Sequence, residues 1–345
     1  MARIGINPAR DQWSQYRPST LTVAVLVHIP VLVGYHQQRL EIFKACLNSL
    51  LEHTGRDFDL MVFDNASCPE VGEYLDELKS KGWVQYVISS QQNIGKMGAF
   101  KVMFNAAPGE IIAYSDDDIY FYPGWFDAHL EILESFPNVG MVSGLPVLSS
   151  TDESVHSTLE FAAGTPGVEM IQGSLVPVEW QIDHALSIGR DPYEWARASR
   201  EGGDRLVRYK GLEAFVSATH FQFVTRKDVI LQALPAEWTG RLMREMRQLD
   251  QEVDRMGYLR LSTRERTVQH LGNVLDDRWA DKAAAFPFKH LKPNECSWEQ
   301  KLIRVGFVRR FLQGIYNRLF WLLSQPQEAL TKPRETSMGK DAGEV

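Results

Sequence analysis

Asp116, Asp117 and Asp118 stand in a row after the apolar segment Ile111-Ile112-Ala113-Tyr114 and Ser115. If that segment is a buried strand, it delivers three carboxylates to one sheet edge, where a cation or solvent must offset the charge. Alternate side chains of a strand share a face. Asp116 and Asp118 are therefore expected on one side, with Asp117 on the other. Two hard oxygen donors on one side suit Mg²⁺ or Mn²⁺, ions that typically carry nucleotide phosphates. Taken alone, the run is better explained by a solvated acidic turn. The segments around it reverse that preference.

Those segments alternate in type. Leu21 to Ile29 is a continuous apolar, β-branched run, the pattern of a buried strand. Arg39 to His53 has helical periodicity, with Leu40, Phe43, Leu47, Leu50 and Leu51 on one face. Asp57 to Phe63 reads as a second strand ending in the turn-forming cluster Asp64-Asn65-Ala66-Ser67. Pro69 to Lys81 predicts a second helix, Val84 to Ser89 a third strand, and Gly95 to Ala107 a third helix entered through Asn93-Ile94-Gly95. Glu110 to Ser115 is the fourth strand. Strand and helix in alternation predict a largely parallel sheet with helices on its faces, and such sheets bind ligands at the carboxyl ends of their strands.

Beyond the aspartates the pattern loosens. A turn at Tyr122 to Trp125 leads into a helix, Phe126 to Phe136, and Val139 to Ser143 predicts a strand. Residues 149–210, rich in Gly, Ser and charge, read as an inserted, partly helical region and not a second domain. Ala214 to Thr225 predicts a strand pair or a bent strand, and Arg241 to Met256 a charged helix closed by Gly257. Leu259 to Leu261 and Thr267 to His270 are short strands. Residues 276–297 read as a linker, Trp298 to Leu323 as an amphipathic helix, and the last twenty residues as disordered.

Bulk composition is that of an ordinary globular protein: 345 residues, 44% hydrophobic and 23% charged. A net charge of −7 argues against a nucleic-acid partner. Cys46, Cys68 and Cys296 are odd in number and far apart, so reduced thiols and a cytoplasmic location are expected. Met1 to Thr20 lacks the apolar core of a signal peptide and is read as an N-terminal extension.

In order and spacing, these motifs resemble a family 2 glycosyltransferase of the GT-A fold, bacterial in type, over residues 21–275. The resemblance is carried by LTVAVLV, Phe63-Asp64-Asn65-Ala66-Ser67, Asn93 to Phe100 (NIGKMGAF), Gly109 to Ile119 (GEIIAYSDDDI), Pro123-Gly124-Trp125, and Gly257-Tyr258 followed by Val268 to Asn273 (VQHLGN). It implies a Rossmann-like α/β domain with a mostly parallel mixed sheet and an inserted acceptor-side region, to which the residues outside the resemblance add the linker and C-terminal helix (276–325) and the disordered tail (326–345). It also implies an inverting, metal-dependent transfer of a sugar from a nucleotide-diphosphate donor to a hydroxyl acceptor, in polysaccharide or glycoconjugate synthesis.

By the same resemblance Asp64 contacts the nucleoside base, favouring a UDP- or dTDP-type donor, and Asn93, Gly95 and Lys96 border the nucleoside. Asp116 and Asp118 form the DXD pair, Asp117 lies with the donor-binding residues, and His270 joins Asp116 and Asp118 around Mn²⁺ or Mg²⁺. The general base is where the chain departs from the family. Counted back from Gly257, the usual Glu falls on Glu245 and the usual Asp on Met246. Asp250, one turn later on the same helix face, is the first candidate and Glu245 the second. His220, in the run THFQF, is weighed both as an acceptor-site residue and as a core histidine.

The acceptor class by family analogy is a glycan or lipid-linked glycan. The C-terminal helix is expected to pack on the domain or on a second copy in preference to an inner-membrane surface, because its cations are spread around it. A nucleotidyltransferase on a related fold would also need paired aspartates and a metal, but its Gly-rich basic loop after the first strand is replaced here by HIPVLVGYHQQR. A non-catalytic nucleotide-sugar-binding module is the other reading, kept open by Met246.

Overall fold

The computed structural model describes residues 14, 16–147, 152–237, 240–242, 245–275, 311 and 315. Chain contacts divide it into two units, residues 1–291 and 292–345. The helix expected at 298–323 lies outside the described residues except for Phe311 and Ile315, which are helical and exposed.

The alternation expected from the sequence is present. The elements run β1 (Leu21–Val27), α1 (Arg39–His53), β2 (Asp59–Asn65), α2 (Pro69–Ser80), β3 (Tyr86–Ser90), α3 (Gly95–Ala106) and β4 (Ile111–Asp116). They continue with β5 (Ile119–Phe121), α4 (Trp125–Ser135), β6 (Val139–Ser143), α5 (His156–Gly164), β7 (Val168–Gly173), α6 (Val178–Ser187) and α7 (Pro192–Gly202). The remainder is β8 (Asp204–Tyr209), β9 (Leu212–Val216), β10 (Gln222–Arg226), α8 (Lys227–Ala233), α9 (Met246–Arg255), β11 (Leu259–Thr263) and β12 (Val268–His270).

Among the described residues, ten strands form one mixed sheet in the order β3-β2-β1-β4-β10-β6-β11-β9-β8-β7. The first four are parallel. Both faces of β1 are covered, which is why its sequence is apolar without alternation. Val23, Val25 and Val27 pack with Phe43, Leu47 and Leu50 of α1 on one face. Ala24 and Leu26 pack with Phe100, Met103 and Phe104 of α3 on the other. Strand direction reverses next to β4, where β10 runs antiparallel with Gln222 opposite Ser115. Strand order itself reverses between β1, which leads outward to β2 and β3, and β4 on its other side, so the carboxyl ends of β1 and β4 lie at a switch point of the sheet.

Three features depart from the sequence reading. First, the two strands within 214–225 are not neighbours: β10 lies between β4 and β6, and β9 between β11 and β8. Second, the inserted segment contributes two strands, β7 and β8, as well as helices, and these extend the sheet at its edge. Third, the helix expected from Arg241 begins at Met246, because Arg241 and Leu242 cross over the start of α3. No helix among the described residues is long and apolar enough to cross a membrane.

His129 of α4 illustrates how polar groups are accommodated in this core. It is fully buried and donates from Nδ1 to the Trp125 carbonyl at 2.6 Å. Its Nε2 then accepts from the Gln222 side-chain amide at 3.2 Å, and Gln222 Oε1 accepts the Gly144 N–H at 2.9 Å. Burial pushes its pKa down to about 4, against the two hydrogen bonds. The unfolded chain takes up this proton near pH 6.5, whereas the folded chain does not until about pH 4. Stability from this residue is therefore complete above pH 6.5 and is lost as the pH falls toward 4, by about 2–3 kcal/mol at pH 4.5. Urea unfolding at pH 7.5 and pH 4.5 should show a shallower acid loss in His129→Asn than in the native chain. Equal slopes would refute this assignment.

Candidate active site

The carboxyl ends of β1, β2 and β4 bring together the residues singled out in the sequence. Asp64, at the end of β2, accepts the Ser67 N–H at 2.9 Å, and Ala66 between them takes a left-handed conformation, φ 65°. Ser67 Oγ accepts the Ile29 N–H at 3.0 Å, and the Ile29 carbonyl accepts the Cys68 N–H at 2.8 Å. The loops after β1 and β2 are thereby locked to each other beside Asp64, which is buried.

Asn93 is held inside a polar network. Its Oδ1 accepts from the Asn65 side-chain amide and from the Gly95 N–H, each at 2.9 Å. Its Nδ2 donates to His28 Nε2 at 3.1 Å, and His28 Nδ1 donates to the Asn65 carbonyl at 2.7 Å. Asn93 thus shapes the entry to α3. Gly95 there has φ 72°, and a Cβ would come within 2.4 Å of the Arg241 carbonyl oxygen. Only glycine tolerates both conditions.

The three aspartates do not follow the alternation expected of them. The strand β4 ends at Asp116, and Asp117-Asp118 form the turn into β5. Past the last ladder residue the period of two no longer applies. Asp116 turns toward Lys96, whose Nζ lies 2.7 Å from Oδ2, and accepts from the Tyr114 hydroxyl. Asp117 and Asp118 together hold Arg39, the first residue of α1. Its Nη2 donates to Asp117 Oδ1, and its Nη1 donates to Asp118 Oδ2 at 2.7 Å and to the Gly272 carbonyl at 3.0 Å. Burial pushes the Asp117 carboxyl up to about 7, with Arg39 pulling it down and Asp118 and Asp116 adding to the rise. Arg39 was missed as a site residue. Its one local sign is a cation in the first turn of a helix, against the helix dipole.

His270 arrives through the two-stranded pairing of β12 with β5, in which it lies opposite Ile119. The Leu271 N–H donates to the Asp118 carbonyl at 2.7 Å. His270 Nε2 stands 3.5 Å from Asp118 Oδ2. Its Nδ1 lies 2.9 Å from Ser187 Oγ, a hydroxyl that itself donates to the His184 carbonyl at 2.7 Å. Ser187 therefore accepts from Nδ1–H, which leaves a lone pair on Nε2 facing Asp118. Asp118 Oδ1 is buried without a hydrogen-bond partner. Oxygen and nitrogen donors side by side suit a divalent ion. Asp116, engaged by Lys96, does not join them, and among the described residues no group of three His, Cys, Asp or Glu side chains is arranged to hold a metal.

Neither base candidate is an open carboxylate. Glu245 is buried at the N-cap position of α9. Asp250 is also buried, with Oδ2 2.8 Å from His220 Nδ1 and Oδ1 3.0 Å from Arg260 Nη2. Met246 packs in the core with Leu249 and Val253. A separate cavity of about 250 Å³ lies among Ser174 to Val178, α6, α7 and Asp204, and none of the three aspartates lines it.

Residues 31–160 match the family described as Glycosyl transferase family 2. Over that stretch the chain is similar to family 2 glycosyltransferases, and the strands and helices of the stretch alternate on a mostly parallel sheet. An uncharacterized glycosyltransferase of Nostoc sp. is 26% identical over 127 residues, which are 37% of this chain. The chain spans 39% of that relative's length. Among solved structures, TarS residues 1–349 of S. aureus is 13% identical over 88% of this chain and 82% of that one, with a TM-score of 0.42. The mannosyltransferase of Pyrobaculum calidifontis, in complex with GDP-Man and Mn²⁺, is 20% identical over 37% and 36% of the two chains, with a TM-score of 0.30.

Proposed function

We propose that this protein is a metal-dependent, inverting glycosyltransferase that moves a sugar from a nucleotide-diphosphate donor to a hydroxyl of a glycan or lipid-linked acceptor. The observation that carries this reading is the pairing of Asp118 and His270 at 3.5 Å, with an unpartnered carboxylate oxygen and a nitrogen lone pair at the turn that follows β4. These two residues would hold Mn²⁺ or Mg²⁺, which supplies compensation for charge building on the departing diphosphate. Asp64, which accepts the Ser67 N–H, is assigned to the nucleoside base, and Lys96 supplies a cation beside Asp116. An acceptor hydroxyl must lose its proton as it attacks the anomeric carbon from the face opposite the leaving diphosphate, and that geometry inverts the configuration.

Thermal unfolding with a panel of UDP-, dTDP-, GDP- and ADP-sugars, each with and without Mn²⁺, tests the reading. A uridine or thymidine donor with Mn²⁺ should raise Tm by several degrees, since a ligand at a hundred times its Kd contributes about 2.7 kcal/mol. Preference for an adenine nucleotide would count against the role of Asp64. The absence of any metal-dependent shift would refute the donor site.

A non-catalytic donor-binding module has two observations in its favour: Met246 stands where the resemblance expects an acidic residue, and Asp250 is closed off by His220 and Arg260. Nucleoside diphosphate release from the bound donor separates the two, because a module would bind without release.

A further inference from the structure

We propose that His220 accepts the proton of the attacking hydroxyl, with Asp250 and Arg260 as the residues that position it. The inference rests on the transferase reading above and deepens it by naming a base in place of the missing carboxylate. Because β10 runs antiparallel to β4, the segment that enters β10 lies where β4 delivers its aspartates. The Phe221 carbonyl accepts the Asp116 N–H at 2.8 Å, and the Phe221 ring centre is 5.3 Å from that of His270. His220 is thus the residue preceding a direct backbone contact with the acidic run.

The imidazole is arranged as a base. A carboxylate can only accept, so the 2.8 Å contact to Asp250 Oδ2 places the proton on Nδ1 and leaves the lone pair on Nε2. The His220 side chain is 36% exposed and that of Asp250 is 9% exposed, so substrate can reach the ring but not the carboxylate behind it. Arg260 fixes that carboxylate. The Arg260 side chain is 1% exposed, and its guanidinium donates to Asp152 Oδ2 at 2.8 Å, to the Ser154 carbonyl at 2.6 Å and to the Ala218 carbonyl, and lies 3.0 Å from Asp250 Oδ1. Asp250 is therefore oriented between Arg260 and the imidazole, the arrangement that stabilises an imidazolium.

The step balances without another reactant. The acceptor O–H bond breaks and its proton goes to His220 Nε2. The oxygen forms its bond to the anomeric carbon. The bond from that carbon to the diphosphate breaks, and the electron pair leaves on the phosphate oxygen. The imidazolium, paired with Asp250, then returns its proton to water.

Two measurements on the full chain test this. With ¹⁵N-labelled histidine, long-range ¹H–¹⁵N spectra should show His220 protonated on Nδ1 and bare on Nε2, and Asp250→Asn should disturb that signature while Tm stays well above the assay temperature. With the donor found by the panel, His220→Gln should lower kcat by about 10²–10⁴-fold, with donor KM and the metal-dependent thermal shift changed less than about threefold. An Nε2-protonated His220 in the native chain overturns the proposal, whatever the activity. So does a His220→Gln variant that keeps kcat within about threefold. A native chain that binds no donor refutes the transferase reading, a result distinct from either of these.

Discussion

Asp118→Ala should abolish metal-dependent turnover while leaving a folded protein. The substitution removes the buried carboxylate whose Oδ1 has no hydrogen-bond partner and whose Oδ2 faces both His270 and Arg39. Loss of the ion's compensation for diphosphate charge is worth several kcal/mol. At about 1.4 kcal/mol per factor of ten, that is about a thousandfold or more in kcat. Arg39 keeps Asp117 and the Gly272 carbonyl as partners, so the fold survives the change. The check is paired: kcat at saturating donor, and the Mn²⁺-dependent rise in Tm, which should vanish. A variant with native kcat, or one that still gains stability from Mn²⁺, would remove Asp118 from the metal site.

Arg39→Met should have the largest effect on stability. Arg39 is 8% exposed and is the cation between two buried carboxylates. Removing one partner of such a cluster leaves uncompensated charge at a cost of about 3–5 kcal/mol. The loss should depend on pH in a definite direction. The Asp117 pKa is raised to about 7 when folded, against about 3.9 in an unfolded chain. Between those values the folded state binds more protons, so this residue contributes most stability at low pH and loses it as the pH rises toward 7. Without the guanidinium the carboxyl rises further. The deficit of Arg39→Met relative to the native chain, measured by urea unfolding, should therefore be larger at pH 8 than at pH 5. A deficit below 1 kcal/mol at both would mean that the cluster is compensated from elsewhere.

Much of the first half of the chain was legible because its signals are local. The helix expected at Arg39–His53 has those bounds in the structure, and the strand expected at Glu110–Ser115 runs from Ile111 to Asp116. Hydrophobic periodicity and turn residues suffice for such segments. The second half was less legible. Gly- and Ser-rich sequence concealed β7 and β8, and helical periodicity continued back through Arg241, where the chain crosses over Gly95. His220 was visible only as one histidine with two readings, since the partner that orients it lies 30 residues on.

The sequence alone determined the order of strands and helices, and with it the end of the sheet at which Asp64, Asn93, Lys96 and the aspartates collect, because side-chain period and turn chemistry are written in neighbouring residues. Only the tertiary structure decided which strand lies beside which. It also decided how the aspartates divide, Asp116 to Lys96 and the other two to Arg39, and that Asp250 faces a histidine and an arginine, not solvent. The physical reason is that a buried charge must find an opposite charge wherever the fold provides one. Asp118 finds Arg39 at a separation of 79 residues, and no local pattern records a pairing across that distance.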